Sequence, residues 1–335
     1  MISIVVPVFN EEKNIGELFR RVKEAMAKTG FTYEIVLVND GSSDGSVDLI
    51  TKEMATNDNI RLVQFSRNFG HQVAVTAGLD FAQGDAVVVM DADMQDPPEL
   101  IPEMIDKWVD GNDVVYAVRA KRDHESWLMT TIRRIYYRLL KAMGDVDVPV
   151  DAGDFRLIDR QALNALNQLR ENNRYVRGLC AWVGFRQVAV TYERPARHAG
   201  ESKYSFFKLV GLALDGLSGF SNAPLRFILW IGIVVAVLSF ATSGIALIAK
   251  IFSPDVVEGW SSLVLFIGCL SGIQLIALGV ISDYIGRIHN EVKNRPIYVI
   301  SQLDGFVEIP EISAKAVVCG PRQARKPLPA SKKTD

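Results

Sequence analysis

The stretch from Val87 to Glu99, VVVMDADMQDPPE, runs four apolar residues straight into carboxylates at Asp91, Asp93 and Asp96, then into a Pro-Pro pair. Carboxylates at the mouth of a buried strand are costly unless positive charge sits on them. Alternation along an extended segment would point Asp91 and Asp93 the same way, with Gln95 continuing the spacing. Two neighbouring carboxylates repel unless a proton or a hard cation lies between them. Mg²⁺ or Mn²⁺, held by few protein oxygens and bridging to a diphosphate, meets that need. An Asp-x-Asp pair alone is common by chance; its place after an apolar run is what favours a metal.

Two other polar stretches follow apolar runs. VNDGSSDGS, Val38 to Ser46, reads either as an Asx/Gly turn that starts a helix or as a site where Asp40 accepts the imide N–H of a uracil. VPVFNEE reads equally as a plain strand ending. Neither G-x-G-x-x-G nor G-x-x-x-x-G-K-[ST] occurs, which argues against a dehydrogenase and a P-loop enzyme. The cysteines (Cys180, Cys269, Cys319) and histidines (His71, His124, His198, His289) are scattered, so neither a disulfide framework nor a His-based metal centre is expected.

These residues need elements to position them. Up to about residue 115 the chain alternates short apolar runs (ISIVVPV, YEIVLVND, IRLVQFS, DAVVVMDAD, DVVYAVR) with helical spacing, as in EEKNIGELFRRVKEAMAKT, where Ile15, Leu18, Val22 and Met26 share a face. Such alternation predicts a mostly parallel sheet covered by helices, with ligands beyond the carboxyl ends of the strands. Polar residues after the strands, among them Asn10, Glu11, Asp40, Asp91, Asp93 and Arg119, would then gather along one edge. Beyond residue 120 the pattern loosens. WLMTTIRRIYYRLLKAMG reads as a basic amphipathic helix, AGDFRLIDRQALNAL as a turn and then a helix, and SFFKLVGLALDGLSGF as an interfacial helix.

The 335 residues carry a formal net charge of -2, which gives no global field for nucleic acid. Met1 leads into ISIVVPVFNEE without the basic start or apolar run of a signal peptide. Residues 227–249 and 261–282 carry no charge, and each, as a helix, would be long enough to cross a hydrocarbon core of about 30 Å. The outer flanks hold Arg226, Arg287, Lys293 and Arg295, which predicts a hairpin with both ends in the cytoplasm. The last residues, GPRQARKPLPASKKTD, are Pro-rich and basic and predict disorder.

Six ordered stretches, SIVVPVFNEEKNI, VNDGSSDGS, FSRNFGHQVAVTAGLDFAQGD, MDADMQDPPE, DAGDFRL and GESKYS, together resemble the polyprenyl-phosphate glycosyltransferases of glycosyltransferase family 2. The resemblance spans about residues 2–285. GDFRLIDR is closer to the bactoprenol glucosyltransferases than to the dolichol-phosphate mannose synthases or the aminoarabinose-type transferases, whereas GESKYS is similar in all three. The Q-x-x-R-W motif of processive synthases is missing, which argues for a single transfer.

The resemblance implies an α/β fold of the GT-A type: a cytoplasmic catalytic domain over 1–205, an interfacial helix over 206–225, a transmembrane hairpin over 226–286 and a cytoplasmic tail over 287–335. It implies a multi-pass protein of the plasma (inner) membrane that meets membrane lipids; a homo-oligomer is compatible with it. The donor would be a nucleotide-sugar, UDP-glucose first and a GDP-mannose or UDP-aminoarabinose type next, and the acceptor polyprenyl (undecaprenyl) phosphate. Asp91, Asp93 and Gln95 would hold Mg²⁺ or Mn²⁺, with Pro7, Asn10, Glu11, Asp40 and Asp91 at the nucleotide-sugar. Asp154 is the family's candidate catalytic carboxylate beside Asp93. Arg119, Arg133, Arg197 and Lys203 are candidates for the acceptor phosphate. That acceptor, with a second pKa near ~6, is largely dianionic at pH 7 and needs no general base. Direct displacement would invert the anomeric carbon, an α-linked donor giving a β-linked product. A non-catalytic nucleotide-sugar-binding membrane protein is the contrasting class, against which the intact Asp91, Asp93 and Asp154 speak.

Overall fold

The computed structural model describes residues 1–119, 152–172, 174–192, 259–306 and 316–318, with isolated helical residues between 225 and 241. The chain divides into two compact units. One comprises Met1–Asp123, Pro149–Glu201 and Arg295–Asp335; the other comprises His124–Val148 and Ser202–Asn294.

The first unit is an α/β sheet built from β1 (Ile2–Val8), β2 (Tyr33–Asn39), β3 (Ile60–Phe65), β4 (Ala86–Val89), β5 (Val114–Arg119), β6 (Ala152–Asp159), β7 (Gln187–Tyr192), β8 (Tyr298–Asp304) and β9 (Ala316–Val318). Their order is β7-β5-β6-β4-β1-β2-β3-β8-β9. Strands β4, β1, β2 and β3 are mutually parallel, and β5 pairs parallel with β7. β6 runs antiparallel to both β4 and β5, and β8 antiparallel to β3. The mostly parallel α/β fold is thus present, with reversed strands inserted.

Helices α1 (Glu12–Met26), α2 (Ser46–Met54), α3 (His71–Phe81), α4 (Ile101–Val109), α5 (Arg160–Gln168) and α6 (Val176–Trp182) connect and cover the strands, with a 3₁₀ turn at Pro98–Leu100 leading into α4. All seven residues of β1 are buried, as expected of a parallel strand covered on both faces. Ile2, Ile4, Val6 and Val8 join Ile15, Leu18, Val22 and Met26 of α1 in the main core, so the face expected for that helix is the face it buries. α3 covers the other side: a Cβ on Gly78 would lie 2.2 Å from Val5 Cγ1, so only glycine permits this approach of helix to sheet.

Two expectations change. AGDFRLIDRQALNAL is strand β6 followed by α5, because Phe155, Arg156, Leu157 and Ile158 are buried on both faces in a central position. Residues 287–335, expected to be a tail, contribute β8 and β9 to the sheet; the Pro-rich end lies outside the described residues. Tyr298, fully buried at the start of β8, stacks on Phe65 and donates its hydroxyl hydrogen to Asp80 Oδ2 at 2.7 Å. Arg170 holds the same carboxylate bidentately at 2.7 and 2.8 Å. Tyr298→Phe deletes one hydrogen bond and should cost about 1 kcal/mol. Asp80→Ala removes the carboxylate that Arg170 holds bidentately and that Tyr298 donates to, and should cost about 3–5 kcal/mol. Thermal unfolding of both variants checks this; equal midpoints would refute the tether.

Within the second unit, Trp260–Val292 forms one 33-residue helix, α7. Many of its described apolar side chains are exposed, Leu275 and Ile276 at 69% and 68%. The second expected span forms the first two-thirds of α7, with several of its side chains outside the described residues. The first expected span, 227–249, and the basic and interfacial helices lie largely or wholly outside them. No hairpin is found: among the described residues, no helix is long and apolar enough to cross a membrane.

Candidate functional site

The parallel strands end at one edge, and the loops after β1, β2, β3 and β4 meet there. The first two interlock. Asn10, with φ of 57°, receives at Oδ1 the N–H of Ser43 at 2.8 Å and donates its own N–H to Ser42 Oγ at 3.0 Å. The N–H of Glu11 goes to Ser46 Oγ at 2.9 Å, and its carboxylate accepts from Asn14 Nδ2 at 2.6 Å. Asn10 and Glu11 therefore latch VPVFNEE onto the DGSSDGS loop. Pro7 is buried within β1 opposite Val38. Asp40, 3% exposed, accepts the N–H groups of Phe69 and Gly70 at 2.6 and 2.9 Å, fixing the loop before α3. Burial pushes its carboxyl up, partly offset by those two N–H groups. Gly41, at φ of 75°, would place a Cβ 2.8 Å from Asn68 N, so this junction also requires glycine.

The acidic turn begins once β4 has ended at Val89. The alternation argument therefore does not apply to Asp91 and Asp93; a turn sets them, with Met94 at φ of 62°. Asp93 Oδ1 accepts the Gln95 N–H at 3.1 Å. Asp96, 4% exposed, closes the turn by accepting the Asp91 N–H at 3.2 Å and the Tyr192 hydroxyl at 3.2 Å. Its carboxyl is pushed up to about 7, first by burial, then by the charge of Asp91. Asp91 is pushed up as well: burial leads, and Asp154 and Asp93 add repulsion.

The antiparallel register of β6 delivers Asp154. Arg156 pairs with Val89 at the end of β4, and Asp154, two residues earlier in β6, stands near enough to Asp91 in the following turn to repel it. His71 Nε2, at the first residue of α3, stands 3.5 Å from Asp91 Oδ1 and 3.6 Å from Asp154 Oδ2. Arg177 on α6 grips Asp154 bidentately, Nε to Oδ1 at 2.7 Å and Nη2 to Oδ2 at 3.0 Å, and Gln72 Nε2 adds a bond at 3.2 Å. Burial alone would raise the Asp154 carboxyl, but His71 and Arg177 hold it far below the ordinary carboxylate range. His71 is held above its usual value, because Asp154 and Asp91 outweigh the burial that would lower it.

Asp91 Oδ1 is buried with no hydrogen-bond partner, since 3.5 Å to His71 lies beyond a good hydrogen bond. An orphaned carboxylate oxygen with the charge of Asp93 close by fits a hard divalent cation. Among the described residues no group of three or more His, Cys, Asp or Glu is set to hold a metal ion.

The site thus brings together Asp91, Asp93, Gln95 and Asp154. Backbone register puts Arg119 opposite Tyr192, while Arg133, Arg197 and Lys203 lie outside the described residues. His71, Gln72, Asp96 and Arg177 were not expected in the site. His71 and Gln72 sit in the motif FSRNFGHQ and could have been found there; Arg177 lies in no motif that the sequence reading singled out.

Comparison with known proteins gives a consistent picture. Residues 3–166 match the family described as Glycosyl transferase family 2. The chain is 48% identical over 304 residues to a protein of Bacillus subtilis named "Uncharacterized glycosyltransferase YkcC", covering 91% of this chain and 94% of that protein. It is 43% identical over 309 residues to "Uncharacterized glycosyltransferase sll0501" of Synechocystis, covering 92% and 97%. It is 40% identical over 301 residues to the "SfII prophage-derived bactoprenol glucosyl transferase" of Shigella flexneri, covering 90% and 97%.

Proposed function

This chain belongs to glycosyl transferase family 2, and from that premise we propose that it moves one sugar, glucose from UDP-glucose, onto undecaprenyl phosphate at the cytoplasmic face of the plasma membrane. The observation that carries this reading is the 40% identity, across nearly the whole length of both chains, to a protein named for bactoprenol glucosyl transfer. The uncharged stretches 227–249 and 261–282 support anchoring at the membrane: the acceptor cannot leave the bilayer cheaply, at ~0.8 kcal/mol for each buried CH₂.

In the reaction, a phosphate oxygen of the acceptor forms the bond to the anomeric carbon as the bond to the nucleoside diphosphate breaks, with inversion. Asp91, Asp93 and Gln95 would hold Mg²⁺ or Mn²⁺, which when bound stabilises charge on the departing diphosphate. Asn10, Glu11 and Asp40 frame the nucleotide side by fixing the loops around it. Asp154, ionised beside Arg177 and His71, orients the acceptor or a sugar hydroxyl.

The test offers the purified protein radiolabelled UDP-glucose, GDP-mannose or a UDP-aminoarabinose in turn, each with undecaprenyl phosphate. Label should enter the lipid from UDP-glucose. Label entering from another donor alone would replace the sugar and keep the chemistry. No lipid label from any donor would reject the transferase reading.

A further inference from the structure

The acceptor in this reading is a dianion, yet it must approach a cluster of carboxylates: Asp91, Asp93, Asp96 and Asp154. Such an approach needs a cation that faces the same space. His71, Arg156 and Arg177 all stand at Asp154. Arg156 is 3% exposed and is spent on the backbone carbonyls of Gly153 and Asp154. His71 lies between two carboxylates. The Arg177 side chain is 31% exposed while the carboxylate it grips is 10% exposed; His71 is exposed too, at 43%, but its imidazole offers one nitrogen to an anion where the guanidinium offers a two-donor fork. The guanidinium is thus reachable from solvent on a site whose anion is covered.

Its geometry also says what it would take. The Nε and Nη2 edge holds two oxygens of one planar anion at 2.7 and 3.0 Å. That fork matches the oxygens of a phosphate as well as those of a carboxylate. We propose that Arg177 is a binding residue for the acceptor phosphate, and that the Asp154 carboxylate occupies its fork until the phosphate arrives. The assignment rests on the transferase reading for the identity of the lipid, and adds to it a residue and an exchange of anions. Asp154, once released toward Gln72 and His71, is free to orient the incoming group. The arrangement also couples acceptor binding to the freeing of Asp154, so that the carboxylate is released only when there is an acceptor to orient.

The test measures binding of farnesyl phosphate, a short polyprenyl phosphate, to the full-length protein in detergent by calorimetry, with farnesol as the uncharged control. Arg177→Ala should weaken farnesyl phosphate at least tenfold and leave farnesol unchanged. Arg177→Lys, which keeps the charge but not the fork and is the milder change if the alanine variant does not fold, should weaken it about threefold. Asp154→Asn, which removes the competing charge, should tighten it. Equal farnesyl phosphate affinity in wild type and Arg177→Lys or Arg177→Ala, or no farnesyl phosphate binding to wild type, overturns the assignment. Arg177-dependent binding in a protein that transfers no sugar would leave the assignment standing and reject the transferase reading instead.

Discussion

Asp93→Asn is expected to lower turnover by about 10²–10³-fold while the protein folds normally, comparable to removing one preorganised electrostatic contact from a transition state. The turn should survive, because the Asn side-chain oxygen can still accept the Gln95 N–H that Asp93 Oδ1 accepts at 3.1 Å. What is lost is charge. Asp91 and Asp93 repel one another, and burial already lifts Asp91. Without a metal cation, a diphosphate brought beside the pair would add its negative charge to theirs. Activity should therefore vanish in EDTA and return with Mg²⁺ or Mn²⁺. Donor binding, measured by calorimetry with UDP-glucose, should show the same dependence in wild type and lose it in Asp93→Asn. Full activity in EDTA would end the metal reading.

The part of this site legible in the sequence is the part made of short local signals. Asp91 and Asp93 follow an apolar run, and a parallel α/β sheet puts such residues at its ligand edge whatever the strand order. Strand alternation is nevertheless not what places them: β4 stops at Val89 and a turn sets the carboxylates. Asp154 was singled out through the family motif, but its placement near Asp91 depends on β6 pairing antiparallel beside β4. No local pattern in AGDFRLID declares that pairing, since a central strand with Gly, Asp and Arg among its residues looks like a turn. Arg177 was invisible for a related reason. It reaches Asp154 from α6, a seven-residue helix, and a single Arg in RYVRGL carries no periodic or motif signal. The polar residues of VPVFNEE and NDGSSDGS are legible as an edge, but most of their hydrogen bonds join the two loops to each other. Strand β8 is not legible because Tyr298 to Asp304 mixes apolar and polar residues and follows a long helix; its pairing with β3 is a contact across more than 230 residues of chain.

The second large effect concerns Asp154. Asp154→Ala removes the anion gripped by Arg177 and Gln72 and approached by His71, and should lower turnover by at least about 10²-fold, a loss of the size that misplaced reacting groups cause. Asp154→Asn keeps the shape and should retain transfer within about tenfold of wild type. The reason is the protonation state. A carboxylate held this far below its ordinary range is a weak base at neutral pH, and a lipid phosphate dianion does not need one. The sign of the linkage agrees: the stability gained from a depressed carboxyl is fully present above the unfolded value near ~4 and is lost only as pH falls toward the depressed one. In the protein without acceptor, Asp154 therefore changes neither charge nor its contribution to stability between pH 5 and 9. The acidic limb of kcat/KM for the acceptor should instead follow the second ionisation of the lipid phosphate, near ~6. Asp96, pushed up to about 7, and His71, held above its usual value beside Asp154, are enzyme groups that could imitate this limb. A phosphorothioate acceptor, whose ionisation lies lower, separates the two cases: the limb moves with the acceptor if the phosphate sets it, and stays if an enzyme group does. If Asp154→Asn abolishes turnover with both substrates still bound, and the limb does not move with the acceptor, then a side-chain base is required and Asp154 is that base.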